Sequence, residues 1–483
     1  DDFGDMADFE RLLAELHDRD IRLILDMVLN HTSDEHEWFE QSRREVEGYE
    51  DYYHWVDGDP EEPPNNWTSG FGGSAWEYDE VREAWYLHLF HEKQPDLNWR
   101  NPEVRAEMQD VVEFWLEKGI DGFRLDVFNI MSKPEGYPDG DPEDDWVGMD
   151  QFADGPNIHE YYRDLYDEVI SNYDVMTVGE GMNLSPREAK RYCGESGDGL
   201  NMTYHYGHTL LDYGEDGWWD IVDWEVEEMR EVLTRWVQQL EVTDAWNTVY
   251  LGTHDTPRIV SRFGNDDRYH YESATMLATL LSTFPATPFV YQGDELGMTN
   301  YPWSSREEMR DADATNRVRL ALEEGRAEDF ADVQDVVRYR SRDNARTPMQ
   351  WSDREQAGFT ESEPWIPINP AHEAINAADQ RGREDSILSY YQDLIDLRHD
   401  EEALAYGVYD LLAEDHPRVW AYERTLEEDT ILVVLNWAGR PSRVALGDAD
   451  TVRSVLACNY DDPGTDLGSL ALRPYEARVY RVN

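Results

Sequence analysis

Short apolar runs alternating with amphipathic helical stretches constrain this chain more than any other feature. Asp5 to Arg19 has helical apolar spacing (Phe9, Leu12, Leu13, Leu16), and IRLILDMV follows at 21–28. The alternation recurs. Helix-like 102–118 precedes GFRLDV (122–127), helix-like 157–171 precedes DVMTVGE (174–180), and NMTYHY (201–206) comes next. Helix-like 224–240 then precedes NTVYLGTHD (247–255), and helix-like 271–284 precedes TPFVYQGDELG (287–297). Strands that are apolar throughout and alternate with helices belong to a parallel sheet covered on both faces. The runs also end alike: Asp26 with Asn30 and His31, Arg124 with Asp126, Glu180, His205, His254 with Asp255, and Asp294 with Glu295. Polar residues collected at the C-terminal ends of such strands are the sequence pattern of a βα-barrel active site.

At 483 residues the chain exceeds one core, and 40% hydrophobic with 12% aromatic residues excludes a disordered chain. The pattern divides it at composition shifts. Residues 1–32 read as the first part of a barrel, and tryptophan- and turn-rich 33–100 as a subdomain inserted between the first visible strand and its helix. Residues 101–403 read as the remainder of the barrel. From 404 to 483 short strands (DTILVVLNW, SRVALG, TVRSVLA, EARVYRV) indicate a C-terminal antiparallel β-sandwich domain.

The formal net charge of −63, spread through helices and loops, excludes nucleic acid as a partner and suggests a soluble protein adapted to molar salt. Cys193 and Cys458 lie far apart without metal-ligand spacing, so they read as reduced thiols. No apolar run is long enough for a membrane span, and no signal peptide is visible.

Taken singly, the charged strand ends have structural readings. Asp126 could form only an ion pair with Arg124, Glu180 could neighbour a helix cap, and Asp255 could cap the segment starting TPR. Together, carboxylates converging on one barrel mouth cost several kcal/mol unless paired or protonated. Glycoside cleavage with retention uses such an arrangement: an ionised nucleophile and a protonated acid about 5–5.5 Å apart. An arginine beside the nucleophile would keep it ionised, while burial raises the acid. Trp67, Phe71, Trp76 and Phe90 would stack on sugar faces, core packing being the alternative for each.

DMVLNH (26–31), GFRLDV (122–127), VGEG (178–181) and THD (253–255) resemble, in order and spacing, the four short regions of the α-amylase family of glycoside hydrolases. QPDLNW (94–99) and SRDNARTPMQW (341–351) resemble its oligo-1,6-glucosidase and α-glucosidase branch. The resemblance implies an α/β fold, a (β/α)8 TIM-type barrel with the inserted subdomain after its third strand and the C-terminal β domain. The resemblance also implies that the family's first two βα units, with an Asp and a Tyr that grip the glucose, are missing from this chain. By family pattern Asp126 is the nucleophile, held by Arg124, Glu180 the general acid and base, and Asp255 the third carboxylate. His31, His254 and Arg346 resemble sugar-binding residues, with Arg342 a less favoured choice for the arginine; Phe71, Phe90 and Gln94 match pocket-lining positions. Val127 resembles the residue found in relatives that prefer α-1,6 links. THDTPR (253–258) and GEGMNLS (180–185) depart from the family pattern near the leaving sugar.

The resemblance therefore implies a cytoplasmic exo-acting α-glucosidase acting on short oligosaccharides. It implies no cofactor for the chemistry; the family's structural calcium uses a loop absent from this chain, so no metal ligand is assigned. The alternatives are a transglycosylase or isomerase rearranging trehalose or sucrose, and a non-catalytic binding homologue. Oligomeric state is left open.

Overall fold

A computed structural model describes residues 4–194, 197–241, 245–447 and 451–483. The chain divides into two compact units, Asp1–Tyr206 with Gln239–Trp246, and Gly207–Gln238 with Asn247–Asn483.

The first unit is built on a parallel sheet of β1 (Ile24–Val28), β2 (Gly122–Asp126), β3 (Met176–Gly181) and β4 (Met202–His205), in that order. Helix α1 (Met6–His17) precedes β1 and starts at a capping box between Asp5 and Asp8. Helix α2 (Pro102–Glu117) leads into β2; Asn101 caps it by accepting the Glu103 N–H, and Pro102 sits where no N–H is needed. Gly122 opens β2 at φ +150, and a Cβ there would lie 1.8 Å from the Met176 carbonyl oxygen. That close approach lets β2 and β3 pair, setting Arg124 beside Val178. β2 and β3 are largely buried, as a covered parallel sheet requires. β1 departs from continuous burial: Ile24 and Leu25 are half-buried, and Asp26 and Val28 are exposed. Among the described residues β1 pairs only with β2, so its other edge has no strand against it.

Residues 33–95 form a helix (Glu37–Arg43) and a small antiparallel sheet of Trp55–Val56, Ala84–Leu87 and Trp76–Asp79. Its core joins Trp67, Trp76, Trp85, Leu87 and Leu89 to Val127, Ile130 and Phe152. The subdomain is thereby packed on the segment that follows β2.

In the second unit β5 (Thr248–Val249) and β6 (Thr287–Pro288) pair in parallel over two residues each, shorter than the apolar runs suggest. Pro288 has no N–H to extend the ladder. Beyond Val249 the Thr256 and Thr253 hydroxyls accept the N–H groups of Thr253 and Asp255, a local turn in place of strand pairing. Helix α3 (His270–Thr283) is buried throughout Ser273–Thr283. Its threonines tolerate this because Thr275, Thr279 and Thr283 donate their hydroxyls to the carbonyls four residues back.

The C-terminal part holds a five-stranded antiparallel sheet: β7 (Val408–Leu412), β8 (Val419–Leu426), β9 (Asp429–Asn436), then β12 (Ala477–Val482) and β11 (Val452–Cys458). The short strands β10, Ser442–Val444, and Leu470–Leu472 pair separately. Period-two alternation splits β9 between two cores. Ile431, Val433 and Leu435 join the cluster containing Leu277 and Leu280, while Leu432 and Val434 join Val444, Leu470 and Leu472. No described helix is long and apolar enough to cross a membrane.

Candidate active site

The ends of β1 to β4 assemble a charged cluster by register. Asp26 pairs with Arg124 and Val28 with Asp126 across β1 and β2, while Glu180 pairs with Tyr204 across β3 and β4. Arg124 is the hub. It forms ion pairs with Asp126 through Nη1, with Asp26 through Nη1 at 2.8 Å, and with Glu180 through Nη2 at 2.6 Å. Its Nε and Nη2 also donate to the Tyr204 hydroxyl at 3.0 and 2.8 Å. Glu180 is the most buried member, its side chain 3% exposed against 20% for Asp126. It accepts hydrogen bonds from the Tyr206 hydroxyl on Oε1 and from the Val127 N–H on Oε2 at 3.0 Å.

Val127 makes that second contact from the left-handed region (φ 36, ψ 42). A β-branched residue rarely adopts it, at a cost of about 1–3 kcal/mol, and its side chain is buried in the cluster that also holds Trp67, Leu89 and Ile130.

One guanidinium thus serves three carboxylates, which revises the expectation that Arg124 simply keeps Asp126 ionised. Burial, then the neighbouring Glu180 charge, push the Asp126 carboxyl well above the ordinary range, against the pull of Arg124. Burial opposes the Arg124 charge too, but Glu180, Tyr204, Asp126 and Asp26 outweigh it and hold the guanidinium charged. The two carboxylates repel one another across the guanidinium they share, which is why the Glu180 charge raises Asp126.

A second group carries the other sequence-predicted residues of this unit. The His31 ring lies 2.9 Å from the Gln94 amide and 5.5 Å, centroid to centroid, from Phe90, which in turn sits 5.7 Å from Phe71. Burial, helped by the Lys133 charge, lowers the His31 imidazole below its ordinary value against the pull of Asp96. Phe71 and Phe90 are half-buried, whereas Trp67 and Trp76 are 1% exposed and belong to the core. The expected sugar-stacking role of those two tryptophans is therefore excluded by burial. Beneath His31, the fully buried Lys133 donates to Asn30 Oδ1 and pairs with the fully buried Asp96, both at 2.6 Å.

In the second unit Asp255 is half-buried and held by two arginines. Arg342 Nη1 reaches its Oδ1 at 3.0 Å and Arg346 Nη2 reaches the same oxygen at 2.7 Å. His254 Nε2 lies 3.2 Å from Oδ2, and the His254 carbonyl accepts from Arg346 Nε at 3.0 Å. Burial alone would raise the Asp255 carboxyl, but Arg342, His254 and Arg346 together hold it below its ordinary value. Both arginines therefore belong to this group, although the family pattern singled out Arg346. Asp255 caps no helix; Arg258 stands at the start of Ile259–Phe263.

The sequence reading missed Tyr204 and Tyr206, having marked His205 between them. Alternation along β4 was the available signal, since residues at i and i+2 share a face. His205 itself is buried. Lys133 carried no local signal. Among the described residues no group of three or more His, Cys, Asp or Glu side chains is placed to hold a metal ion.

Paired buried carboxylates on one arginine at the C-terminal ends of parallel strands suit glycoside cleavage. Residues 1–407 match the alpha-amylase catalytic domain, and the chain belongs to that family: it is a glycoside hydrolase with a (β/α)8-barrel fold and a C-terminal antiparallel β-sheet domain. It is 45% identical to the oligo-1,6-glucosidase of Parageobacillus thermoglucosidasius, a similarity covering 100% of this chain and 87% of that protein. Among solved structures it resembles isomaltulose synthase from Klebsiella sp. LX3, with a TM-score of 0.95 and 40% identity over 99% of this chain and 86% of that one. Trehalose-6-phosphate hydrolase from Bacillus licheniformis gives a TM-score of 0.92 and 39% identity, covering 100% of this chain and 87% of that one.

Proposed function

We propose that the protein is an exo-acting retaining α-glucosidase that releases glucose from short α-glucosides, preferring α-1,6 links of the isomaltose type. The observation that carries this reading is the sharing of Arg124 by Asp126 and Glu180 from neighbouring strands. Two carboxylates on one guanidinium fit the close spacing of a retaining pair better than the wider spacing of an inverting one, which leaves room for water.

Asp126 attacks the anomeric carbon while Glu180 gives its proton to the departing glycosidic oxygen. Glu180, now ionised, takes a proton from water, which attacks the same carbon and releases Asp126. Asp255 binds glucose hydroxyls and stabilises the oxocarbenium-like transition state, helped by Arg346, His254 and His31. Phe71, Phe90 and Gln94, carried by the subdomain of residues 33–100, line the glucose pocket. The α-1,6 preference is supported by the name of the relative at 45% identity and by Val127 after the nucleophile.

The reading needs no cofactor and places the enzyme in a salt-rich cytoplasm, where screening offsets the net charge of −63. A second reading is favoured by the 40% identity to an isomaltulose synthase: the same intermediate captured by a sugar instead of water, giving an isomer.

Glucose release from isomaltose, maltose and sucrose, side by side in molar KCl, tests both readings. Fastest hydrolysis of isomaltose is expected. Faster maltose hydrolysis would overturn the linkage preference, and conversion of sucrose to an isomer with little free glucose would favour the second reading. Asp126→Asn should lose turnover by at least about 1,000-fold while remaining folded; near-normal rates would remove Asp126 as nucleophile.

A further inference from the structure

We propose that Asp311 is a positioning residue for Asp255: through Arg342 and Arg346 it anchors one carboxylate oxygen of Asp255 and leaves the other available to a sugar hydroxyl. This rests on the role given to Asp255 above.

The atoms involved carry the argument. Asp311 has a side chain only 1% exposed and takes the same two arginines as Asp255. Arg342 reaches it through Nη2 at 2.6 Å and Nε at 3.1 Å, and Arg346 through Nη1 at 3.2 Å. Each guanidinium then has another nitrogen for Asp255, and both choose Oδ1. Two carboxylates and two guanidiniums form a neutral group in which neither arginine closes fully on Asp255. The opposite oxygen, Oδ2, faces His254.

Asp311 is itself fixed. It precedes the helix Ala312–Glu323 as N-cap, its oxygens accepting the Asp313 and Ala314 N–H groups at 3.4 and 3.3 Å. The helix N-terminus favours its negative charge, and the Asp311 N–H is held by Asp343 Oδ2 at 2.9 Å. A rigid anion behind the arginines decides where their forks point. Without that charge both forks are attracted to Asp255 alone and compete with the sugar for Oδ2.

Asp311→Asn keeps the side-chain shape and one oxygen that can accept a helix N–H, while it removes the charge and turns the other oxygen into an amide donor. The test is a double-mutant cycle of Asp311→Asn and Asp255→Asn, following 4-nitrophenyl α-glucoside hydrolysis in molar KCl, with the melting temperature as a check on folding. Asp311→Asn alone should lower kcat/KM about 10- to 100-fold, the worth of one charge-assisted hydrogen bond. In the Asp255→Asn background the same change should cost less than about twofold, because its target is gone. Equal losses in both backgrounds would mark Asp311 as merely structural and overturn the proposal, as would an unchanged rate in folded Asp311→Asn. A near-normal rate for Asp255→Asn would instead overturn the role of Asp255 itself. Should Asp311→Asn fail to fold, Arg342→Gln carries the same cycle with the same expected non-additivity.

Discussion

Replacing Arg124 with Gln should destabilise the first unit in a way that acid repairs. The guanidinium is 14% exposed and is the cation shared by Asp126 and Glu180, which are 20% and 3% exposed. Removing one partner of a buried ion pair leaves an uncompensated charge and costs about 3–5 kcal/mol. With Asp126 already pushed up by burial and by Glu180, loss of Arg124 raises it further. A carboxyl whose pKa is higher folded than unfolded binds more protons in the folded state. Its burden is therefore absent in acid and grows as pH rises from the ordinary carboxylate range through the raised value. For a unit of about 200 residues each kcal/mol corresponds to roughly 2–4 °C, so the apparent melting temperature at pH 8 should fall on the order of 10 °C. At pH 5 the fall should be much smaller. Tryptophan fluorescence melts of both proteins at each pH, in molar KCl, measure this directly; such salt screens buried pairs far less than surface ones. Arg124→Lys, which keeps a charge, serves as control. A shift that is equal at both pH values, or larger at pH 5, would refute the reasoning.

Tyr206→Phe removes a hydroxyl that donates to Glu180 and leaves the ring in place. It should lower kcat/KM by about 2- to 10-fold, as expected for the loss of one hydrogen bond, with little change in melting temperature; unchanged steady-state kinetics would take Tyr206 out of the site. Lys133→Met strips Asp96 of its buried cation and Asn30 of a donor. A loss of about 3–5 kcal/mol is expected, read as a fall in melting temperature, and a shift below about 2 °C would show that Asp96 finds another partner.

Much of the site was legible because its residues close short apolar runs. Arg124 and Asp126, and Glu180 at the end of MTVGE, stand out where a buried strand meets a charge. The aromatic residues were less legible. Trp67 and Phe71 belong to the same loop-rich stretch, yet one is core and the other half-buried, and composition does not separate them. Nor did periodicity give the true lengths of β5 and β6, since an apolar run continues past the residues that pair. Threonine hydroxyls and a proline end those ladders, and both act through local hydrogen bonding that a hydrophobic pattern ignores.

By itself the sequence determined the alternation of helices and strands, the residues at the strand ends and the family. These follow from local periodicity and from short motifs that survive without any knowledge of neighbours. Only the tertiary structure decided how the charges are shared. Arg124 meets Glu180 because strand register brings residues 56 positions apart together, and Lys133 reaches Asn30 across 103. Asp255 offers both arginines the same oxygen because Asp311, distant in sequence and anchored on a helix, holds their other nitrogens. Electrostatic interactions depend on distance and burial in space, and neither is written in the order of residues along the chain.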